Sequence, residues 1–317
     1  MIGLNTVITL LIAVYIAFSI GANDETMMVV ASGSSFMIRR LALVGGIVTC
    51  IGAIIYGQLV EETIGKGILT ILVTSRVGLI ILIATASWLT VVSYFGWPVS
   101  TSHSTVGAVI GYGIFAGSLN WQNLNKILLS WLISPIAGFV FSYLIIRLFD
   151  KIEIGQTNNE ENERSKNWLY ALIVGALLQE FWQGANNVSN ATSFLSATFD
   201  YPIISRTLGG VFLAVGLFIL GVRVLGIAGR RITRLPIHAA FGTQLIIVFL
   251  NIVGTLYGIP LSGTHISIAC LIGAGLACKT KIDYSIVKKV FLYWFLTLPG
   301  AALFTMAAAY ISTFIFV

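Results

Sequence analysis

The chain has 317 residues, of which 57% are hydrophobic and only 9% are charged, and its formal net charge is +6. Soluble domains have about a quarter charged residues, so this composition excludes a soluble globular enzyme. The apolar runs are continuous over about 20 residues, as helices that cross a hydrocarbon core require, and they lack the alternation of a membrane β-barrel. The sequence therefore predicts an all-α polytopic membrane protein that is embedded in a lipid bilayer.

Ten apolar segments, taken in chain order, are predicted to lie in the membrane. They are 4–22, 41–60, 77–96, 99–118, 126–149, 168–186, 205–222, 237–257, 260–278 and 288–317. The polar stretch 150–167 is predicted to be a solvated cytoplasmic linker. It separates a first half, residues 1–149, from a second half, residues 168–317.

The basic residues predict the orientation, because cytoplasmic loops are enriched in Lys and Arg. If the N-terminus is outside, the outer loops contain only Lys66, Arg76, Lys126 and Arg206, and the inner loops contain the other basic residues. This asymmetry predicts a multi-pass protein of the cell membrane with both termini outside. It also accounts for the positive net charge without a nucleic-acid partner.

Short motifs of the first half recur in the second half in the same order. The pairs are 21–24 with 184–187, 65–68 with 229–232, 98–103 with 260–265, and 131–135 with 294–299. Each half has an odd number of segments, so the second copy must enter the bilayer from the opposite side. The sequence therefore predicts two inverted repeats of about five segments each, an architecture typical of secondary transporters.

The first motif pair reads Gly-Ala-Asn-Asp in one half and Gly-Ala-Asn-Asn in the other. It places Asn23, Asp24, Asn186 and Asn187 at the ends of apolar runs, where polar groups are costly unless they line a cavity or find a partner. A substrate or cation site is therefore indicated. The alternative is that these residues cap helices at the membrane surface.

A proline interrupts an apolar region in each half. Pro98 and Pro260 remove a backbone donor and disfavour helical geometry in the preceding residue, so broken or re-entrant helices are predicted near the midplane. Hydroxyl side chains open the next helix, namely Ser100, Thr101 and Ser102 in the first half and Ser262 and Thr264 in the second. Two such helix starts can bind an oxyanion. The alternative is that the hydroxyls only cap these helices or bond to their own backbone.

Three further polar residues lie in apolar surroundings. His103 and His265 occupy equivalent positions in the two breaks, where they could orient the turn by hydrogen bonding or relay protons. Glu180 precedes the second Asn motif, and its carboxylate is costly unless it holds a cation, a proton or a partner. The alternative for Glu180 is a side chain that snorkels to the membrane surface.

At these motifs the chain resembles the inorganic phosphate transporter (PiT) family of secondary transporters, which also includes sulfate permeases. The resemblance implies a symporter, not an enzyme, that imports inorganic phosphate with Na+ or H+ by alternating access. It implies no cofactor and no metal beyond a sodium site. Substrate contacts are expected from Asn23, Asp24, Ser100, Thr101, Ser102, Asn186, Asn187, Ser262 and Thr264. Contacts to the coupling cation are expected from Asn23, Asp24, Glu180, Asn186 and Asn190.

The chain also departs from the family pattern. It has Asn187 where a second Asp is usual, Met27 where an Asn is usual, and Gly263 in place of a Thr. Hydrogen phosphate carries a proton that a carboxylate can accept, whereas sulfate carries none. With Asn at position 187, the chain lacks a carboxylate that would favour phosphate over sulfate. A sulfate permease of the same family is therefore the alternative, and an anion channel is less favoured. A homodimer is compatible with this class.

Overall fold

The computed structural model describes most of the chain. The described residues are 4–23, 25–33, 38–95, 97, 99–153, 161–195, 201–221 and 230–315. Within them the fold is helical, and the β-type pairing is an isolated bridge between Leu69 and Leu119. The predicted all-α fold is confirmed.

The helices follow the predicted segments closely. The first half forms α1 (Leu4–Ala22), α2 (Glu25–Gly33), α3 (Ile38–Glu62), α4 (Ser75–Tyr94), α5 (Thr101–Ala116) and α6 (Trp121–Glu153). The second half forms α7 (Glu161–Asn187), α8 (Ser189–Thr192), α9 (Pro202–Gly216), α10 (Ile237–Leu256), α11 (Gly263–Ala277) and α12 (Tyr284–Ile315). A helix lies at each predicted segment, and α6 and α7 extend into the predicted linker, of which residues 154–160 lie outside the described part.

Six helices of the described residues are long and apolar enough to cross a membrane. They lie within Arg39–Gly67, Ser75–Tyr94, Trp121–Lys151, Pro202–Gly221, Ile237–Leu256 and Tyr284–Phe314. Large apolar side chains such as Leu132 and Phe295 are exposed on their outer faces, as contact with lipid requires. By contrast, α5 and α11 have 16 and 15 residues. At about 1.5 Å per residue, these two helices are shorter than a hydrocarbon core of about 30 Å.

Both short helices begin in the same way. Ser100 and Ser262 are their N-caps, and each side-chain oxygen accepts a hydrogen bond from the backbone N–H of the histidine three residues later. This supports the alternative that some hydroxyls cap their own helices. At the other end of α5, Gly117 adopts a φ of +61°, a left-handed conformation that glycine tolerates without strain.

The helices of the two halves pack in exchanged pairs. Helix α3 packs against α7 as α9 packs against α1, and α6 packs against α11 as α12 packs against α5. If each helix is replaced by its counterpart in the other half, the contact of α3 with α7 becomes that of α9 with α1. In the same way, the contact of α6 with α11 becomes that of α12 with α5. Such packing is what two structurally equivalent repeats produce, and their opposite orientation in the bilayer stays a prediction.

Glycines allow these helices to approach closely. A Cβ atom on Gly52 would lie 1.9 Å from a backbone oxygen of α7, and one on Gly184 would lie 2.1 Å from a backbone oxygen of α3. The equivalent contact between α1 and α9 uses Gly21 and Gly216, at 1.8 and 2.0 Å. Small residues that permit close backbone contact are typical of helix packing in membranes.

Replacing Gly52 with alanine should destabilise the bundle, because the methyl group would overlap the carbonyl group of Phe181. Overpacking of this kind costs about 1–3 kcal/mol. Thermal unfolding in detergent measures the effect. Gly67→Ala is the control, since a Cβ there meets nothing closer than 3.6 Å. Equal unfolding temperatures for the two variants would show that close packing does not fix α3 against α7.

Candidate functional site

The first turns of α5 and α11 meet, which brings the two predicted breaks together. The imidazole rings of His103 and His265 are in contact, with their centroids 4.2 Å apart and their planes tilted by 37°. Ser102 Oγ donates a hydrogen bond of 2.7 Å to the backbone oxygen of Leu261, just before α11. The hydroxyl-rich starts of one helix from each half are therefore in direct contact.

Each of the two histidine rings is also in contact with a tryptophan ring. The ring of Trp131 lies 3.7 Å from that of His103, and the ring of Trp294 lies 3.5 Å from that of His265. Trp131 Nε1 also donates a hydrogen bond of 2.6 Å to the backbone oxygen of Pro260. The two roles considered for the histidines, orienting the turn by hydrogen bonding and relaying protons, stay predictions. Among the described residues, His103 Nδ1 and His265 Nε2 have no hydrogen-bond partner.

Asn186 ties the end of α7 to the break that precedes α11. Its Nδ2 donates hydrogen bonds to Thr255 Oγ1, at 3.1 Å, and to the backbone oxygen of Ile259, at 3.0 Å. Its Oδ1 accepts a hydrogen bond of 3.0 Å from the backbone N–H of Leu261. Both donor protons of this amide are therefore used to hold the break in place.

Asn190 connects α8 to the start of α5 in the other half. It is fully buried, and its Nδ2 donates a hydrogen bond of 3.2 Å to Ser102 Oγ. Its Oδ1 is buried and accepts no hydrogen bond from the described residues. A buried oxygen without a partner is costly, so it is suited to contact a cation or a donor group of a ligand.

Three other predicted site residues are buried near the same helix ends. Thr101, Asn187 and Thr264 are at most 7% exposed. The side chains of Thr101 and Asn187 make no hydrogen bond to the residues that the structure describes, whereas Thr264 does have a partner. Within the described part of the chain, the Thr101 hydroxyl and the Asn187 amide are therefore not engaged by another side chain or by the backbone.

The first Asn motif is described only in part. Asn23 Nδ2 donates a hydrogen bond of 2.8 Å to the backbone oxygen of Ser19, one turn earlier on α1. Among the described residues, the side chain of Asn23 hydrogen-bonds within its own helix, whereas that of Asn186 bonds to the break before α11. Asp24 and Pro98 lie outside the described residues, so their predicted roles stay predictions.

Glu180 is fully buried between α3 and α7, which excludes the snorkelling alternative. Its Oε2 accepts a hydrogen bond of 2.7 Å from Thr49 Oγ1. Gly45 leaves room for the side chain, since a Cβ atom there would lie 3.0 Å from Glu180 Cγ. Glu180 and Asn187 are seven positions apart on α7, which is about 10 Å along a helix. The proposed role of Glu180 in cation binding stays a prediction.

An ion pair that the sequence analysis missed lies beside α8. Arg206 Nε lies 3.5 Å from Glu61 Oε2, and both side chains are buried. Thr192, on α8, is within hydrogen-bonding reach of the same carboxylate. The prediction of orientation places Arg206 in an outer loop, but the residue lies inside α9. The sequence signal that could have revealed the ion pair is an Arg one helical turn after Pro202, together with an acidic residue near the end of α3.

The described residues contain no group of three or more His, Cys, Asp or Glu side chains that could hold a metal ion. The cysteines Cys50, Cys270 and Cys278 are free thiols. The chemistry that this part of the chain offers is therefore that of amides, hydroxyls and helix starts.

The chain is similar in sequence and in fold to known proteins. A sequence profile described as "Phosphate transporter family" matches residues 20–305. A Pyrococcus furiosus protein that bears the name of a phosphate permease is 26% identical, over 93% of each chain. The Arabidopsis thaliana protein named inorganic phosphate transporter 2-1, chloroplastic, is 25% identical over 95% of this chain and 71% of its own length. A solved structure described as "The sodium-dependent phosphate transporter" is similar in fold, with a TM-score of 0.85 at 24% identity, over 99% of this chain and 100% of that chain.

Asn186→Ala should destabilise the protein more than Asn23→Ala does. The first change removes three hydrogen bonds that hold the break before α11, and the second removes one bond within α1. At about 1 kcal/mol for each bond, the expected losses are about 3 and about 1 kcal/mol. Chemical unfolding in detergent measures both variants. A loss for Asn186→Ala that is no larger than for Asn23→Ala would contradict its role in holding the break.

Proposed function

The chain belongs to the phosphate transporter family, which confirms the resemblance that its two motifs indicate, and we propose that it imports inorganic phosphate together with a cation. The observation that carries the proposal is the contact between the first turns of α5 and α11, because two hydroxyl-rich helix starts there can share one anion. The protein is a multi-pass membrane protein. Its location in the cell membrane and both termini outside are part of the proposal.

The anion is proposed to be held by hydroxyl and backbone N–H groups. Ser100 and Ser262 use their oxygens as helix caps, which leaves their hydroxyl protons free to donate to a ligand. Thr101 adds a hydroxyl group without a partner among the described residues. The hydroxyl proton of Ser102 is already donated to Leu261, so Ser102 is proposed to position the two helix starts and to contact the anion only through its backbone.

The coupling cation is proposed to be sodium. This proposal is supported by the similar solved structure, which is described as sodium-dependent. Asn190 Oδ1, the Asn187 amide and the carboxylate of Asp24 supply the oxygen ligands that a hard cation prefers. A cation also offsets the charges of the anion and of Asp24, so each ligand is expected to favour binding of the other. A proton carried by buried Glu180 is the alternative.

Transport is proposed to occur by alternating access. The site would lie between inverted repeats and open to each side of the membrane in turn, as is usual for this architecture. The exchanged packing of the two halves supports equivalent repeats. A homodimer remains compatible with the proposal.

The function is tested by uptake of labelled phosphate and labelled sulfate into liposomes that contain the purified protein. Each anion is offered with an inward sodium gradient, an inward proton gradient or neither. We expect saturable phosphate uptake that the sodium gradient drives. Uptake of either anion without a cation gradient would indicate a channel, and sulfate uptake with phosphate excluded would replace the proposal by the sulfate alternative.

Asn187→Asp should raise the preference for phosphate over sulfate by about tenfold, the effect of about 1.4 kcal/mol of differential interaction. The added carboxylate can accept the proton of hydrogen phosphate but repels sulfate. Competition of sulfate with labelled phosphate uptake measures the preference. Asn123→Asp is the control, because it adds the same charge on α6, away from the helix starts. An unchanged preference in Asn187→Asp would remove Asn187 as a specificity residue.

A further inference from the structure

A cavity of about 600 Å³ lies beside the histidine and tryptophan rings, between α6, α11 and α12. Its floor contains His103, Trp131, His265 and Trp294, all at most 9% exposed. Apart from the histidine and tryptophan ring nitrogens and the backbone, its walls are hydrocarbon and aromatic side chains. The volume falls in the range of about 300–1,000 Å³ that is typical of small-molecule sites.

The mouth of the cavity faces the apolar surface of the bundle. Leu132, Ile136 and Phe295 line it and are 61%, 57% and 79% exposed. They lie on α6 and α12, which are both apolar enough to span a membrane. A ligand would therefore enter from the hydrocarbon layer and must itself be soluble in lipid.

The floor offers three unused polar atoms, of which Trp294 Nε1 can only donate a hydrogen bond. His103 Nδ1 and His265 Nε2 are buried and have no hydrogen-bond partner among the described residues. A buried polar atom without a partner is costly, and a neutral imidazole has one nitrogen that donates and one that accepts. A hydroxyl or carboxylic acid group can satisfy both roles at once, because it donates through its O–H and accepts through its oxygen atoms.

We propose that this cavity binds a long-chain carboxylic acid from the membrane, with its protonated head group hydrogen-bonded to His103 and His265 and its chain between α6 and α12. The apolar walls take the hydrocarbon chain, and the exposed mouth lets it reach the bilayer. The same histidines lie in the first turns of α5 and α11. An occupant therefore contacts the two helix starts that are proposed to hold the transported anion.

The test uses dibromostearic acid, whose bromine atoms quench the fluorescence of nearby tryptophans such as Trp131 and Trp294. The protein is reconstituted in vesicles of unbrominated phosphatidylcholine, and the acid is titrated in. We expect a saturable quenching component that corresponds to one acid per chain. The methyl ester of the same acid can accept but not donate a hydrogen bond, and we expect it to bind at least fivefold more weakly.

Ala269→Phe is the decisive variant, because Ala269 lines the cavity and a phenyl ring would fill it. The control is Ala307→Phe, which adds the same ring at an exposed position of α12 outside the cavity. We expect Ala269→Phe to lose the saturable component and Ala307→Phe to keep it. Circular dichroism and thermal unfolding show whether each variant is folded. If Ala269→Phe does not fold, Trp131→Phe with Trp294→Phe in the same chain should remove the saturable quenching.

Quenching that rises without saturation and equally in both alanine variants would overturn the proposal, since it would show only general contact with lipid. Equal binding of acid and ester would overturn the role of the histidines. If a second copy of the chain covers the cavity instead, we expect no saturable quenching and a dimer that can be cross-linked through α6. That pair of results would also overturn the proposal. Binding is measured without phosphate, so this test is independent of the transport proposal.

Discussion

The contact between the first turns of α5 and α11 is the interaction on which the rest of the structure depends. Each helix is too short to span a bilayer, so each must end inside the protein with its first N–H groups in need of partners. The Ser100 and Ser262 side-chain oxygens meet part of that need, because they accept hydrogen bonds from the backbone N–H groups of His103 and His265. The remaining N–H and hydroxyl donors are the groups that we propose to bind the transported anion, which a continuous helix could not offer.

The surrounding helices fix this contact through close packing and through the two Asn motifs. Glycines let α3 approach α7 and α1 approach α9 at backbone distance, and α7 ends at Asn187, just before α8. From there Asn186 holds the break before α11, and Asn190 reaches Ser102 at the start of α5. The buried Glu61 and Arg206 pair lies behind α8. A removal of either charge would leave the other buried without a partner, at a cost of about 3–5 kcal/mol.

The sequence predicts the fold well, because apolar runs of membrane length and prolines act locally. Helix positions and the interruptions before α5 and α11 follow from these signals. Of the polar residues that it assigns to the site, Ser102, Asn186 and Asn190 do meet at the breaks, whereas Asp24 lies outside the described residues. The sequence does not predict that the Asn186 side chain hydrogen-bonds to the backbone on both sides of Pro260. Nor does it predict that the rings of the two histidines are in contact, or that Arg206 is buried. These features depend on how helices from different halves meet, and a local pattern carries no information on such contacts.

The most direct test of this account is whether phosphate and sodium bind together. Calorimetric titration of the purified protein in detergent measures the phosphate dissociation constant at several sodium concentrations, with choline replacing sodium to keep the ionic strength constant. We expect sodium to lower the dissociation constant of phosphate, and phosphate to lower that of sodium by the same factor, as linkage requires. Phosphate affinity that does not change with sodium would contradict a shared site for the anion and its coupling cation.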